Sequence, residues 1–354
     1  MSSVVHPVAA DSARPATANP PDAEEDLENT PGGALGAADP SDTPGYKSIG
    51  RHSAVKVCYW TARSLTEDRG CYKARFYGIE SHRCLQMTPS ADGCNLHCRF
   101  CWRYQGWETD SSPTDADDPV TLLRDALVAQ RDLLSGYGGD PRVAPGKYAE
   151  SQEPRHVAVS LSGEPTLYPR LAEYLRLCHE RGMSTFLVTN GTHPDAVRAL
   201  DPLPTQLYVS VTAPNREIFD RLTVPTDPAE WDRLQETLRI VHDLPTRRVI
   251  RHTVVKGWNM GWEEQYAALD RRADPEFVEV KGYAFMGPSR HRLTRANVPT
   301  HAEVRAFAER IAHHLGYEVA DEAEEATVVL LVRKGAPRPL PRVEPLHPPS
   351  VRLL

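Results

Sequence analysis

The chain of 354 residues contains no run of 18 apolar residues, so no segment reads as a membrane-spanning helix. Its amino terminus lacks the basic stretch and apolar core of a secretory signal, and a cytoplasmic protein with no membrane partner is expected. Cysteine is scarce and odd in number: there are seven, six of them between Cys58 and Cys101. That clustering excludes a dispersed disulfide framework and points to a reducing compartment and bound metal. Net charge is missing from most of the chain. Residues 1–46 hold eight acidic residues and one base, Arg14, whereas the remaining 308 carry 40 bases and 40 acids. The formal charge of −7 therefore belongs to an acidic, Pro- and Ala-rich tail without apolar periodicity, expected to be unstructured. The acidic total argues against a broadly basic nucleic-acid binder, yet it hides three local excesses of the opposite sign.

Residues 51–103 contain nine Lys or Arg against four acids, and the stretches 244–262 and 281–301 contain four bases each and no acid. Such patches suit a phosphate backbone; ordinary solvated surface is the plainer alternative. From residue 119 onward, short apolar runs alternate with helical periodicity. Helices are predicted at 119–135, 168–181, 194–200, 228–243, 262–271 and near 300–315. Strands are predicted at His156–Ser162, Ser184–Thr189, Gln206–Thr212, Arg247–Val255, Phe277–Phe285 and 326–333. This alternation predicts an α/β domain with a parallel sheet and right-handed crossovers. Several strands end in Gly, Asn or small polar residues: Gly163-Glu164-Pro165, Asn190-Gly191, Thr212-Ala213-Pro214 and Gly257. Barrel-like α/β folds bind ligands at that end of their strands.

Cys94, Cys98 and Cys101 form C-x3-C-x2-C. A 4Fe-4S cube usually takes four thiolates, so three on one loop leave an iron open to a small chelating molecule. Zinc is the alternative. It would want a fourth ligand, and His97 adjoins Cys98, a poor spacing for chelating the same ion. Upstream, Cys58, Cys71 and Cys84 are spaced 13 apart, and Cys84 lies 10 before Cys94. Free cysteines are commonly small buried hydrophobes, but three beside a cluster loop can make a second three-thiolate site.

The cysteine loop with Phe100 before its last cysteine, then Gly163-Glu164-Pro165 after the next strand, resembles the radical S-adenosylmethionine superfamily. The run from Gly70 to Pro89 resembles, more narrowly, the archaeal wyosine-base synthases, which are tRNA 4-demethylwyosine synthases. The similarity continues through Cys94–Trp102, Ser162–Tyr168, Val188–Thr192, Tyr208–Pro214, Arg251–Asn259 and Val278–Leu293, and covers roughly residues 50–335. The resemblance implies a partial (βα)6 TIM-like barrel over residues 47–335. Its amino-terminal cysteine-rich extension at 47–90 would hold the second cluster, and a Pro-rich tail would follow at 336–354. It implies two 4Fe-4S clusters. One, on Cys94, Cys98 and Cys101, would bind S-adenosyl-L-methionine; the auxiliary one, on Cys58, Cys71 and Cys84, would bind pyruvate through its open iron.

Gly163 and Glu164 match the segment that receives the methionine amino group. Asn190, Ser210 and Thr212 lie on later strand ends, where the family contacts the carboxylate and ribose. Lys73 matches a lysine proposed to form a Schiff base with the keto carbon. Its amine must be neutral, held so by burial or by neighbouring cations, for which Arg75, Arg83 and His82 are candidates. The implied reaction joins the C2–C3 unit of pyruvate to N1-methylguanosine-37 of tRNA(Phe), by way of a 5′-deoxyadenosyl radical, and gives tricyclic 4-demethylwyosine. Such an enzyme falls in the carbon–carbon lyase class. Trp102, Tyr104, Trp107, Trp258 and Trp262 are candidates to stack on the exposed base. The basic stretches 244–262 and 281–301 would hold the anticodon arm. No flavodoxin-like domain, as in the eukaryotic relatives, fits in residues 1–46, so an external electron donor is expected, together with a monomeric state. Two other readings stand beside this one: a radical enzyme acting on a peptide or small metabolite, and a non-enzymatic, metal-dependent RNA-binding module.

Overall fold

The computed structural model describes residues 45–103, 113 and 115–343; the expectations for residues 1–44 and 344–354, and for Tyr104 and Trp107, fall outside them. Ten strands form one sheet: β1 (Tyr46–Ile49), β2 (Ser53–Lys56), β3 (Cys84–Thr88), β4 (His156–Val159), β5 (Ser184–Thr189), β6 (Gln206–Ser210), β7 (Arg247–Val254), β8 (Phe277–Gly282), β9 (Glu318–Ala323) and β10 (Val328–Val332). Their spatial order is β1-β2-β3-β4-β5-β6-β7-β8-β10-β9. Strands β3 to β8 are parallel and adjacent in chain order. The helices are α1 (Tyr59–Thr66), α2 (Tyr72–Tyr77), α3 (Pro119–Leu134), α4 (Pro145–Ser151), α5 (Leu171–Glu180), α6 (Pro194–Arg198), α7 (Arg216–Thr223), α8 (Glu230–Asp243), α9 (Glu263–Ala273) and α10 (His301–Leu315). Among the described residues no helix is long and apolar enough to cross a membrane.

Local chemistry accounts for the long elements. Asp118 caps α3 by accepting from the Thr121 N–H, and Pro119 follows at its first position. Thr300 and Glu303 form a reciprocal capping box on α10, which Gly316 ends in the left-handed conformation. Side chains alternate across the parallel strands. Leu85, Met87, Val157, Val159, Leu187, Leu207, Val209, Ile250, Val278 and Val280 join one core with Leu122, Leu175, Leu238 and Phe307 from the covering helices. Nearly continuous burial of β5, β6 and β8 shows that their other side is covered as well.

Two expectations need correction. The sheet is mixed, because β1 and β2 run antiparallel at one edge and β10 runs antiparallel to both β8 and β9 at the other. The β9–β10 link is four residues, a 3-10 turn (Glu324–Ala326) and Thr327, too short for the crossover that a parallel pair requires. Three strands also stop two or three residues short of their predicted ends, at Val159, Ser210 and Gly282, because the residues beyond leave the ladder for the loops at the carboxyl edge.

Of the predicted Pro-rich tail, residues 336–343 are described, and they are docked. The Arg247 guanidinium donates to the carbonyls of Pro337 at 2.6 Å, Arg338 at 2.7 Å and Pro339 at 3.2 Å. The Leu340 N–H donates to the Tyr77 carbonyl at 3.1 Å, and Arg338 pairs with Asp321. Residues 336–343 thereby cross the amino edge of the sheet and fasten the end of α2.

On the helix side, His252 of β7 and Asp270 of α9 form a fully buried pair at 3.0 Å. The second ring nitrogen faces the Val211 carbonyl at 2.7 Å, so an imidazolium satisfies both acceptors. Burial opposes the charge, but the carboxylate outweighs it and the His252 pKa lies above the ordinary value. Stability from this pair is complete below about pH 6.5 and is lost as pH rises through the raised value. Urea denaturation at pH 6 and pH 9 should show that loss, and Asp270→Asn should flatten the pH slope. Arg247→Ala leaves the three docked carbonyls without their donor and should lower unfolding free energy by about 2 kcal/mol in the same assay.

Candidate active site

The inner side of the parallel strands gathers the groups with chemistry. Alternation puts Cys84 of β3, Phe186 of β5, Tyr208 and Ser210 of β6, Arg251 of β7 and Glu279 of β8 opposite the residues that face the helices. Helix α2 lies against this side. It begins after the extended Cys71, ends at left-handed Gly78, and packs Tyr72, Phe76 and Tyr77 on Phe186, Tyr208, Val249 and Phe277.

Cys58 precedes α1, Cys71 precedes α2 and Cys84 opens β3. The three converge: burial first, and then like-charge repulsion from Cys58 and Cys71, push the Cys84 thiol well up, with Lys73 opposing. Lys73 sits in this group. Its Nζ is 5.0 Å from the ring centres of both Phe186 and Tyr208 and makes no hydrogen bond to any described residue. Burial lowers its pKa most, and the neighbouring Arg251 guanidinium lowers it further.

Arg251 is held by Glu279, at 3.1 Å from Nε and 2.9 Å from Nη2, and its Nη2 also donates to the Tyr72 hydroxyl at 2.9 Å. The Glu279 carboxylate, with no exposure, accepts further from Tyr77 at 2.7 Å and Tyr208 at 3.2 Å. The cation beside Lys73 is thus Arg251. The expected suppliers are engaged elsewhere: Arg75 with Asp321, Arg83 with the Glu153 carbonyl, and His82 with Glu150. Sequence proximity suggested those three; a residue on a distant strand could be found only through the fold.

The second cysteine group lies at the carboxyl edge, beyond the far end of β3 from Cys84, a strand length of about 13 Å at 3.3 Å per residue. Its loop is pinned to residues 222–226: the His97 N–H donates to the Val224 carbonyl, the Arg99 N–H to Leu222, and the Thr226 N–H to Asn95. Arg292 ties down the carbonyls of Arg99 and Cys101. Burial, and then repulsion by Cys101 and Cys94, push the Cys98 thiol up; Cys94 is raised by burial and by Glu164.

Glu164 organises this edge. Its carboxylate accepts from the Thr166 N–H and hydroxyl, the Thr189 hydroxyl and the Asn190 N–H, all within 3.1 Å, and the residue is 2% exposed. Its side chain joins the ends of β4 and β5. Asn190 donates to Asn95 at 2.9 Å, which in turn donates to Thr192 at 2.7 Å, so the network reaches into the cysteine loop. Gly163 has φ +67°, and a Cβ there would lie 1.6 Å from the Ser90 carbonyl oxygen and 2.5 Å from that of Gly93. Ser210 ends β6 on the inner side. Thr212 lies just beyond, its carbonyl held at 2.8 Å by the buried Asn259. Asn95, Asn259 and Thr189 were not singled out from the sequence; their polar side chains act by bridging loops that are far apart in the chain.

The donor sets fit iron–sulfur clusters: two trios of soft sulfur ligands, all free of disulfides. Zinc fits worse. A tetrahedral zinc with bonds of about 2.3 Å needs sulfurs about 3.8 Å apart. Among the described residues the one group of three ligand atoms all within 4.8 Å is Glu80, His82 and Glu150, not either cysteine trio.

The bases of the stretch 244–262 are engaged by partners within the protein. Arg247 holds the docked tail, Arg248 pairs with Glu276, Arg251 with Glu279 and Lys256 with Glu303. Trp258 is half-buried beneath Arg99 and Arg221, while Trp262 is 44% exposed.

Comparison with known proteins places this arrangement. The Radical SAM superfamily model matches residues 88–269, and a wyosine base formation model matches residues 272–333. A Pyrococcus abyssi protein named S-adenosyl-L-methionine-dependent tRNA 4-demethylwyosine synthase is 49% identical over 296 residues, covering 81% of this chain and 86% of that protein. The chain belongs to the tRNA 4-demethylwyosine synthase family. A human member is 38% identical, and the match spans 82% of this chain but only 40% of that protein. A solved structure described as TYW1 with a lysine–pyruvate adduct bound superposes with a TM-score of 0.74 at 36% identity, covering 81% of this chain and 92% of that one. An archaeal TYW1 crystal structure gives 0.68 at 33% identity, covering 81% and 91%. Membership of the radical superfamily implies a 4Fe-4S cluster and S-adenosylmethionine. Gly163→Ala drives a methyl group into the Ser90–Gly93 backbone. Anaerobically purified protein carrying it should lose iron and visible absorbance, while circular dichroism still reports a folded chain.

Proposed function

We propose that this protein condenses N1-methylguanosine-37 of tRNA(Phe) with the C2–C3 unit of pyruvate to form 4-demethylwyosine, in the carbon–carbon lyase class. The observation that carries the reading is the placement of Lys73, an amine without a hydrogen-bond partner among the described residues, on the sheet side that has a cysteine trio at each end. A family neighbour described with a lysine–pyruvate adduct supports the same role for an amine there.

In this reading the six parallel strands form a partial (βα)6 barrel with an amino-terminal cysteine-rich extension. One domain spans residues 47–335, its second-cluster segment lies at 47–90, and tails flank it. Cys94, Cys98 and Cys101 hold one 4Fe-4S cluster, and Cys58, Cys71 and Cys84 hold the auxiliary one. When bound, the clusters supply reductive cleavage of S-adenosylmethionine to a 5′-deoxyadenosyl radical and an open iron for the keto acid. Every other task falls to the chain itself. The carboxylate of Glu164 is fully used by protein donors, so it shapes the methionine site through the backbone at Gly163 and Glu164. Asn190, Ser210 and Thr212 line the strand ends that face the nucleoside portion. Lys73 attacks the keto carbon; its lowered pKa favours the free amine this needs. Burial of the inner side excludes water from the radical. Arg221, 60% exposed beside Trp258, stands on the rim where the anticodon arm would approach. The protein acts as a monomer and draws electrons from an external donor.

The test is anaerobic incubation with tRNA bearing N1-methylguanosine, pyruvate, reductant and S-adenosylmethionine, read by mass spectrometry of nucleosides. The tricyclic base is the expected product, and its absence with both clusters intact would overturn the reading. Lys73→Ala should reduce product by more than about 100-fold. Iron content and S-adenosylmethionine cleavage should persist in that variant.

A further inference from the structure

Beside Lys73 a second donor lacks a partner. Arg251 uses Nε and Nη2 on Glu279 and Tyr72, and its Nη1 makes no hydrogen bond to any described residue. The side chain keeps 15% of its exposure, and Nη1 is not among the buried atoms left without a partner, so it opens on accessible space. The guanidinium lies over the Tyr208 ring at 4.5 Å from its centre, the same ring that Lys73 overlies at 5.0 Å. The amine and a permanently charged fork with a vacant N–H edge thus lie against one aromatic ring. The buried Glu279 and the Tyr72 hydroxyl hold that fork on two of its nitrogens, so its orientation is set before any ligand arrives.

The chemistry of the condensation says what fills the vacancy. When the amine attacks a keto carbon, a C=N bond forms to Nζ and the keto oxygen departs as water with the two amine protons. The carboxylate on the adjacent carbon takes no part and keeps its charge. A buried anion of that kind has to meet a cation or a strong donor.

We propose that Arg251 Nη1 binds the carboxylate of the keto acid that condenses with Lys73, so that Lys73 and Arg251 together select α-keto acids over neutral carbonyl compounds. The inference rests on the reading of Lys73 as the nucleophile. Arg251 is a binding and specificity residue, and Glu279 is a positioning residue that acts through it.

The test is borohydride trapping on the anaerobic, iron-replete protein, read by intact and peptide mass, with pyruvate and its neutral analogue pyruvamide titrated in parallel. The wild-type protein should trap pyruvate on Lys73 at a concentration at least about tenfold below that needed for pyruvamide. The double variant Arg251→Gln/Glu279→Gln keeps the buried site uncharged overall and should trap both compounds alike, with wild-type iron content. Arg251→Lys retains a charge opposite Glu279 but loses the fork, and should show an intermediate preference; it serves if the double variant does not fold. A wild-type preference that survives unchanged in either variant would assign the carboxylate to the iron and overturn the proposal, as would the absence of any wild-type preference. Failure of the wild-type protein to trap either compound would instead sink the lysine reading, and this inference with it.

Discussion

A carboxylate shut away from water has to be answered where it lies, and Glu279 sets that requirement at the centre of the inner sheet face. Three elements supply the answer: Arg251 from the next strand, Tyr208 from the strand beyond, and Tyr77 from the helix laid across them. Removing one partner from a buried pair of this kind typically costs about 3–5 kcal/mol. The helix carrying Tyr77 is only six residues long and could not hold its place by propensity alone. Its aromatic side chains and the Glu279 network hold it, and Lys73 goes where that helix goes.

A second buried carboxylate performs the matching task at the other end. Glu164 draws the loops after two strands together and, through Asn190 and Asn95, reaches the cysteine loop. Both ends thus follow one construction: an acid with no exposure to spare, surrounded by donors from segments far apart in the chain. Such networks suit sites that must hold reactive groups in one arrangement, because partial satisfaction is expensive in a low-dielectric interior.

Much of this was legible beforehand where the signal was local. The run Ser184–Thr189 is a strand at the predicted residues, and the periodic apolar faces of α3 and α8 lie where expected. The three-cysteine spacing announced its loop. The early strands were not legible: four-residue pieces such as Ser53–Lys56 carry too little periodicity to register. Nor was the character of Arg251. In the sequence it belongs to a stretch of four bases without an acid, and so resembled surface. Its acid lies 28 residues later and meets it only because β7 and β8 pair in register at those two residues. Composition counts charges; it does not say which of them the fold will set face to face.

The docked carboxyl-terminal segment bears on how the protein is made. Translation completes β3 through β8 before residues 336–343 exist. Until they emerge, the Tyr77 carbonyl has no Leu340 to accept from, and the Arg247 guanidinium has no backbone to clasp. Docking of this segment against Arg247 and Tyr77 is therefore among the last events in the folding of the chain, and the amino edge of the sheet beside those two residues lacks its final cover until then.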